Sequence, residues 1–146
     1  MPLSIRKTGV RPLPGAVVRR FSAGGNISLG DWVYVDANGT VQAAQADAAG
    51  TAEAVGLVVS GQNEFINVSG DFSAGETVGV CLSGPVTGFS GMTPGDNVYV
   101  SASAAGGSVQ AAPANPNYTK IGGRAVEADV LWVTATAAPV TEQTPA

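Results

Sequence analysis

Two short stretches decide the fold of this chain: GDWVYV at residues 30–35 and GDNVYV at residues 95–100. Each begins with a Gly-Asp pair, which favours a tight turn, and continues into β-branched and aromatic residues, which favour a strand. Val33 and Val98 are each the fourth residue of their stretch. Because successive side chains of a strand point to opposite faces, these two valines should lie on equivalent faces of their strands. The same turn and strand therefore occur twice, 65 residues apart.

The similarity extends beyond these two stretches. TVQAA at residues 40–44 matches SVQAA at residues 108–112, and Val55-Gly56 matches Ile121-Gly122. The order is preserved, which indicates a duplicated unit of a turn, a strand, a hairpin and a further strand after a loop. Two units are too few for a solenoid or propeller, whereas closing them on each other removes exposed strand edges. The sequence predicts an all-β fold, a compact β-barrel or sandwich built from two similar halves.

Other segments fit the same fold class. Asn38-Gly39 is typical of a two-residue hairpin turn, and residues 77–82 alternate as in a strand with one buried face. Residues 130–134 predict another strand. Residues 43–54 are rich in alanine but contain Gly50 and little apolar bulk, so that they predict a loop or one short helical turn.

Charge is distributed unevenly along the chain. It carries 7 basic and 11 acidic residues, a formal net charge of −4, yet no acidic residue precedes Asp31. Pro2, Pro12 and Pro14 oppose helix and central strand pairing, so that the N-terminal segment should form an extended arm. Five basic residues fall in the first 20 positions: Arg6, Lys7, Arg11, Arg19 and Arg20.

These five basic residues are the candidate partner-binding residues. Such an arm can bind nucleic-acid phosphates, lie across an acidic protein surface, or remain a solvated, frayed terminus. Apolar residues such as Ile5, Val10 and Phe21 lie among the charges, whereas a phosphate-binding tail needs few of them. We therefore expect the arm to dock onto protein, of the same or a neighbouring chain, with no direct nucleic-acid partner. The expected organisation is an arm at 1–25, a domain at 26–134 with halves at about 26–60 and 91–134 joined by 61–90, and a flexible tail at 135–146.

Composition excludes several kinds of chemistry. The chain has no His and one Cys, which rules out catalysis by imidazole, a zinc site of Cys and His, and an intrachain disulfide. No apolar run has the roughly 18–20 residues of a membrane span, and the N-terminus lacks a long apolar signal stretch. We expect synthesis in the cytoplasm, no membrane partner, no metal or cofactor and no catalytic residues.

Two acidic features nevertheless have a chemical alternative. Asp31 and Asp96 hold equivalent repeat positions and could form a carboxylate pair, as in glycoside hydrolysis; the simpler interpretation is that each stabilises its turn. Residues 36–40 resemble the opening of a calcium loop, but the loop lacks the later Glu ligand, and a hairpin turn explains it better. Cys81 has no base to activate it and is expected in the core.

Aromatic residues are the remaining candidate binding groups. Trp32 and Trp132 are candidate interface aromatics, because exposed aromatic rings anchor protein contacts or stack on sugars. The alternation around Trp32 fits a core position equally well.

Two families share short motifs with this chain. Gly-Asp-x-Val-x-Val resembles the opening of biotinyl and lipoyl carrier domains, which require a modified Lys on an exposed hairpin; Lys120 lacks the flanking residues of that motif. GETVGVCLSGPV at 75–86, PGDNVYV at 94–100 and Lys-Ile-Gly at 120–122 are similar to small tailed-phage head proteins that decorate capsids. In those proteins a strand ends in a Ser-Gly-x-Val turn and is followed by the other two motifs as strands. This resemblance covers residues 26–134.

The second resemblance implies a function and an assembly. It implies a "β-tulip"-like body, usually a homotrimer, that binds the outer surface of a phage capsid and cements neighbouring major capsid subunits. The chain would then be a structural virion protein, without enzymatic activity, that stabilises the head. The alternative is a carbohydrate- or host-surface-binding β module similar to a head fibre.

Overall fold

A computed structural model describes residues 3–5, 9–59, 70–112, 117–137 and 140–142. The fold is all-β, as predicted, and its main sheet curls strongly into a half-barrel. The strands of the N-terminal part are β1 (Ser4–Ile5), β2 (Arg11–Pro12), β3 (Val17–Ser22), β4 (Ile27–Ser28), β5 (Trp32–Val35), β6 (Val41–Ala43), β7 (Gly56–Val59) and β8 (Asp71–Phe72).

The C-terminal part contains the longest strand and one short 3₁₀ helix, at Ala135–Ala137. Residues 43–54 contain no helix, in agreement with the predicted loop. The remaining strands are β9 (Thr77–Thr87), β10 (Phe89–Ser90), β11 (Asn97–Val100), β12 (Ser108–Val109), β13 (Tyr118–Ala125), β14 (Val130–Val133) and β15 (Val140–Glu142).

The sequence repeat is also a repeat of strand pairing. In the first copy β5 pairs antiparallel with β6 and β7, and in the second copy β11 pairs antiparallel with β12 and β13. The main sheet has the order β12-β11-β13-β14-β9-β7-β5-β6, with one copy at each end and β14 and β9 between them. The two-halved architecture that the sequence predicts is therefore present.

The two copies differ at one glycine. Val33 lies opposite Gly56 in the first copy, whereas in the second copy the register shifts so that Val98 lies opposite Gly123 and Tyr99 opposite Ile121. Gly122 is the extra residue of this bulge. A Cβ there would clash with the ring of Trp32, so that the bulge and the missing side chain make room for the indole.

Strand β9 connects the two halves of the sheet. It continues through Gly84 and Pro85 to Thr87, so the turn expected at residues 83–86 is wrong. Strands β7 and β3 flank its first part, and β14 and β2 flank its second. The Pro85 carbonyl accepts a bond from the Leu13 N–H (2.9 Å). The N–H and C=O groups of one residue in an antiparallel strand point to the same edge, so the side of Pro85 that lacks an N–H also faces the arm, beyond the end of β2. Proline therefore removes no hydrogen bond from the ladder between β9 and β14.

The N-terminal segment is extended, and it is part of this sheet. Strands β2 and β3 run antiparallel along β9, with Pro12 opposite Val86 and Phe21 opposite Val78. The segment described as an arm from its sequence thus lies on its own chain along most of β9.

The C-terminal segment differs from the flexible tail that its composition predicts. Residues 140–142 form β15, which pairs antiparallel with the first part of β13. The buried ammonium group of Lys120 donates to the Ala135 carbonyl at 2.5 Å, which fixes the start of the segment. Residues 138–139 and 143–146 lie outside the described residues.

The core lies inside the curled sheet. It is built mainly from valine, leucine and alanine, which pack closely in the narrow space of the half-barrel. The largest fully buried side chains are Trp32, Leu57, Leu131, Val10, Val33, Val41, Val58, Val59, Val78, Val80, Val86 and Val98.

Candidate binding surface

The two repeat-related aspartates have different surroundings. Asp31 accepts the Ser28 N–H through Oδ2 at 2.9 Å and so closes the turn before β5. At the equivalent turn before β11, the Thr93 N–H is bonded instead by the Gln110 amide oxygen at 2.8 Å, and Asp96 is exposed. The turn-stabilising interpretation therefore holds for Asp31, while a side-chain amide takes over that role beside Asp96.

The Asp36 loop is filled by hydrogen-bond donors. The Asp36 carboxylate accepts bonds from the hydroxyl of Thr40 (2.6 Å), the amide of Gln42 (3.1 Å) and the N–H groups of Asn38 (3.0 Å) and Thr40 (3.1 Å). The Thr40 hydroxyl contributes most to lowering the pKa of this carboxyl below its ordinary value of 3.8. Calcium needs free carboxylate and carbonyl oxygens, so this arrangement fits a hairpin turn. In the part of the chain that the structure describes, no group of three or more His, Cys, Asp or Glu side chains could hold a metal ion.

Two other reactive side chains are buried. Lys120 is 4% exposed, and burial lowers its pKa while the charge of Glu53 partly opposes that shift. It is therefore unlike the exposed lysine of a carrier domain. Cys81 is fully buried, as expected, and burial raises the pKa of its thiol to about 11, which keeps it protonated.

The arm exposes its charges at the surface. Arg11, Arg19 and Arg20 all have exposed side chains, and the Arg19 guanidinium lies 5.5 Å from the ring centre of Phe21. Arg19 and Arg20 are consecutive on β3, so that they point to opposite faces of the strand. The two other candidate residues of the arm, at positions 6 and 7, lie outside the described residues.

The two tryptophans have opposite environments. Trp32 is fully buried, and its Nε1–H donates to the Ser108 hydroxyl at 2.6 Å. Since Ser108 belongs to the second half and Trp32 to the first, this bond joins the halves. Its ring serves the core instead of a surface, which corrects the expectation of an interface contact there. Trp132 is 45% exposed.

Trp132 lies on the outer side of the sheet. Its cross-strand neighbours are Pro85 on β9 and Arg124 on β13. Leu131 and Val133, on either side of it in β14, are fully buried. Because side chains alternate along a strand, Trp132 points away from the core.

Pro85, Trp132 and Arg124 form one row of side chains across the three strands, and a second row lies beside it. Arg11 is opposite Thr87, which is opposite Val130, and the Val126 N–H donates to the Val130 carbonyl at 3.0 Å. The row therefore runs from the arm to the β13–β14 hairpin. The Trp132 face is defined here as Arg11, Pro85, Arg124, Val126, Val130 and Trp132. Pro85 and Val130 are themselves buried, so that the exposed side chains of the face are the other four.

This face brings together residues that the sequence had placed in separate regions. Arg11 and Trp132 were both candidates, and the pairing of β2 and β14 with the same part of β9 makes them near neighbours. Arg124 and Val126 were missed. Their alternation with Ala125 was the available signal, but only the register of β13 against β14 shows that they flank Trp132.

Neither protein-family models nor curated proteins give a match to this chain. Among the described residues, no helix is long and apolar enough to cross a membrane.

Proposed function

We propose that this chain is a structural virion protein that binds the outer surface of a phage capsid as a trimer and cements neighbouring major capsid subunits. The observation that carries the proposal is the state of the arm. Its residues pair along β9, and the side chains of Arg11, Arg19 and Arg20 are exposed. This arrangement presents exposed arginine side chains from an ordered backbone.

Exposed arginines on an ordered backbone suit adhesion to an acidic protein. Arginine binds carboxylates through two parallel hydrogen bonds, and its fork loses little freedom when the backbone is already ordered. A disordered arm would have to order on binding, at a cost of roughly 1–2 kcal/mol for each residue fixed. Three such arms in one trimer would add avidity of about 10²–10⁴ over a single contact.

The proposal places the chain on the virion after synthesis in the host cytoplasm. Its partners are the major capsid protein and two further copies of itself, and it acts without catalysis, cofactor or direct contact with nucleic acid. Trp32 is fully buried, so that only one of the two tryptophans considered for glycan binding is available at the surface. A sugar platform would then depend on Trp132 without the second ring.

Binding to phage heads tests this function. Expanded heads assembled without the chain are mixed with the purified protein, and bound protein is measured after sedimentation over a range of salt concentrations. A variant with Arg11→Gln, Arg19→Gln and Arg20→Gln should bind about tenfold more weakly or worse, since each surface ion pair contributes roughly 0.2–1 kcal/mol per protomer.

The matched control keeps the charges. Arg→Lys at the same three positions should bind with intermediate affinity, because lysine attracts carboxylates without two-pronged bonding. Unfolding midpoints should be the same in both variants, which separates binding from folding. Failure of the natural protein to bind heads contradicts the proposal, and sedimentation equilibrium at the mass of one 14.5 kDa chain contradicts the trimer.

A further inference from the structure

We propose that the Trp132 face is the anchoring surface of this chain, and that it docks onto a surface of a different protein in which carboxylates surround an apolar pocket. The inference rests on the proposed function and deepens it, because it assigns the main binding contact to a surface centred on Trp132, which shares only Arg11 with the basic arm.

Exposed apolar area is concentrated on this face. Trp132 on β14 is 45% exposed, and Val126, the first residue of the hairpin loop after β13, is 46% exposed. Val17, which is 55% exposed, lies opposite Ser83 and so borders the face. Of the four large apolar side chains that are exposed in the described residues, only Val35 lies elsewhere. Such clustering is typical of interaction sites.

The face is also rigid. Trp132 stands between Pro85 and Arg124 on a strand whose neighbouring side chains are fully buried. A ring held this way loses little freedom on binding, and tryptophan and arginine are the residue types that most often dominate binding energy at the centre of interfaces.

Charge indicates the chemistry of the occupant. The charged residues on the strands of the two rows are Arg11 and Arg124. The acidic residues Glu127 and Asp129 are exposed in the hairpin loop, next to Val126 and Val130 at one end of the face. A second copy docked face to face would set arginine against arginine, which costs several kcal/mol. Carboxylates around an apolar pocket on another protein complement the face, and Arg11 joins it to the arm.

The experiment uses expanded heads and three single variants of the full chain. Trp132→Ala should weaken binding by roughly 30-fold or more, the effect of losing a dominant interface residue. Val126→Ser should weaken binding several-fold. Val35→Ser is the matched control, since Val35 is similarly exposed, at 41%, but lies on β5; it should bind within about twofold of the natural chain.

The salt dependence separates this face from the arm. Trp132→Ala should leave the slope of affinity against salt unchanged, because an apolar contact is little affected by screening. Each variant is also checked by its unfolding midpoint and by its mass in sedimentation. Natural binding by Trp132→Ala and Val126→Ser overturns the inference, as does a change of oligomeric mass, which would make the face a contact between copies. Absence of binding by the natural chain removes the proposed function and this inference with it.

Discussion

The backbone of the arm lies close to β9 at Gly84, so that Gly84→Ala tests how the arm is held. Its φ of +107° lies in the region that L side chains rarely adopt. A Cβ at this position would lie 2.6 Å from the Cα of Ala16 and 2.9 Å from the carbonyl oxygen of Gly15. Both are backbone atoms of the segment between β2 and β3, and they cannot rotate away as a side chain would.

The expected loss of stability has two parts. A left-handed backbone costs a non-glycine residue about 1–2 kcal/mol, and overpacking against atoms that must shift costs about 1–3 kcal/mol. Gly84→Ala should therefore lower the free energy of unfolding by roughly 2–5 kcal/mol. Gly91→Ala is the control: its φ is +73° and no atom lies within 4 Å of the added carbon, so that only the first part applies.

Urea unfolding followed by tryptophan fluorescence measures both losses, because the ring of Trp32 leaves the core on unfolding. Limited trypsin digestion reports on the arm itself, because cleavage after Arg19 and Arg20 requires β3 to leave the sheet. We expect Gly84→Ala to be about 1–3 kcal/mol less stable than Gly91→Ala and to be cut faster in the arm. Equal losses of stability with unchanged digestion would refute the packing of the arm on β9.

Five further substitutions, in three experiments, test the core and the turns. Trp32→Phe and Ser108→Ala should each destabilise the fold by about 1–3 kcal/mol, and a double-mutant cycle should show strong coupling between them if their hydrogen bond joins the halves. Asp31→Ala should lower the free energy of unfolding by about 0.5–1.5 kcal/mol, which is more than the loss for Asp96→Ala. Equal losses in urea unfolding would contradict the different roles of these two aspartates in their turns. Because burial lowers the pKa of Lys120 from its ordinary value of 10.5, the unfolded chain binds this proton more tightly, and the stability of the natural chain should rise with pH between the lowered pKa and 10.5. Lys120→Met should lose that rise, and identical pH profiles would contradict it.

The repeat made much of the architecture predictable from sequence. Val33 and Val98 lie in equivalent strands because each copy carries its own turn signal and alternation, which are local properties. The extension of β9 was not predictable in this way. The local sequence Gly84-Pro85 is typical of a turn. It stays extended because strands from distant parts of the chain pair with both edges of β9.

The candidate surface was less predictable, for a related reason. Trp32 and Trp132 are the same residue type in similar strands. One is buried and the other exposed because their side chains lie on opposite faces of the curled sheet. Gly122 accepts the ring of Trp32 from across the barrel, a contact that no local pattern contains. Arg124 gains its place beside Trp132 only through the register of β13 and β14.

We propose above that this chain binds the outside of a phage head. The most direct measurement is cosedimentation of the purified protein with expanded heads assembled without it, titrated to saturation at low and high salt. We expect saturable binding that weakens as salt screens the arginines of the arm. Protein that stays in the supernatant at every concentration and salt condition, with its fold intact, would contradict the claim.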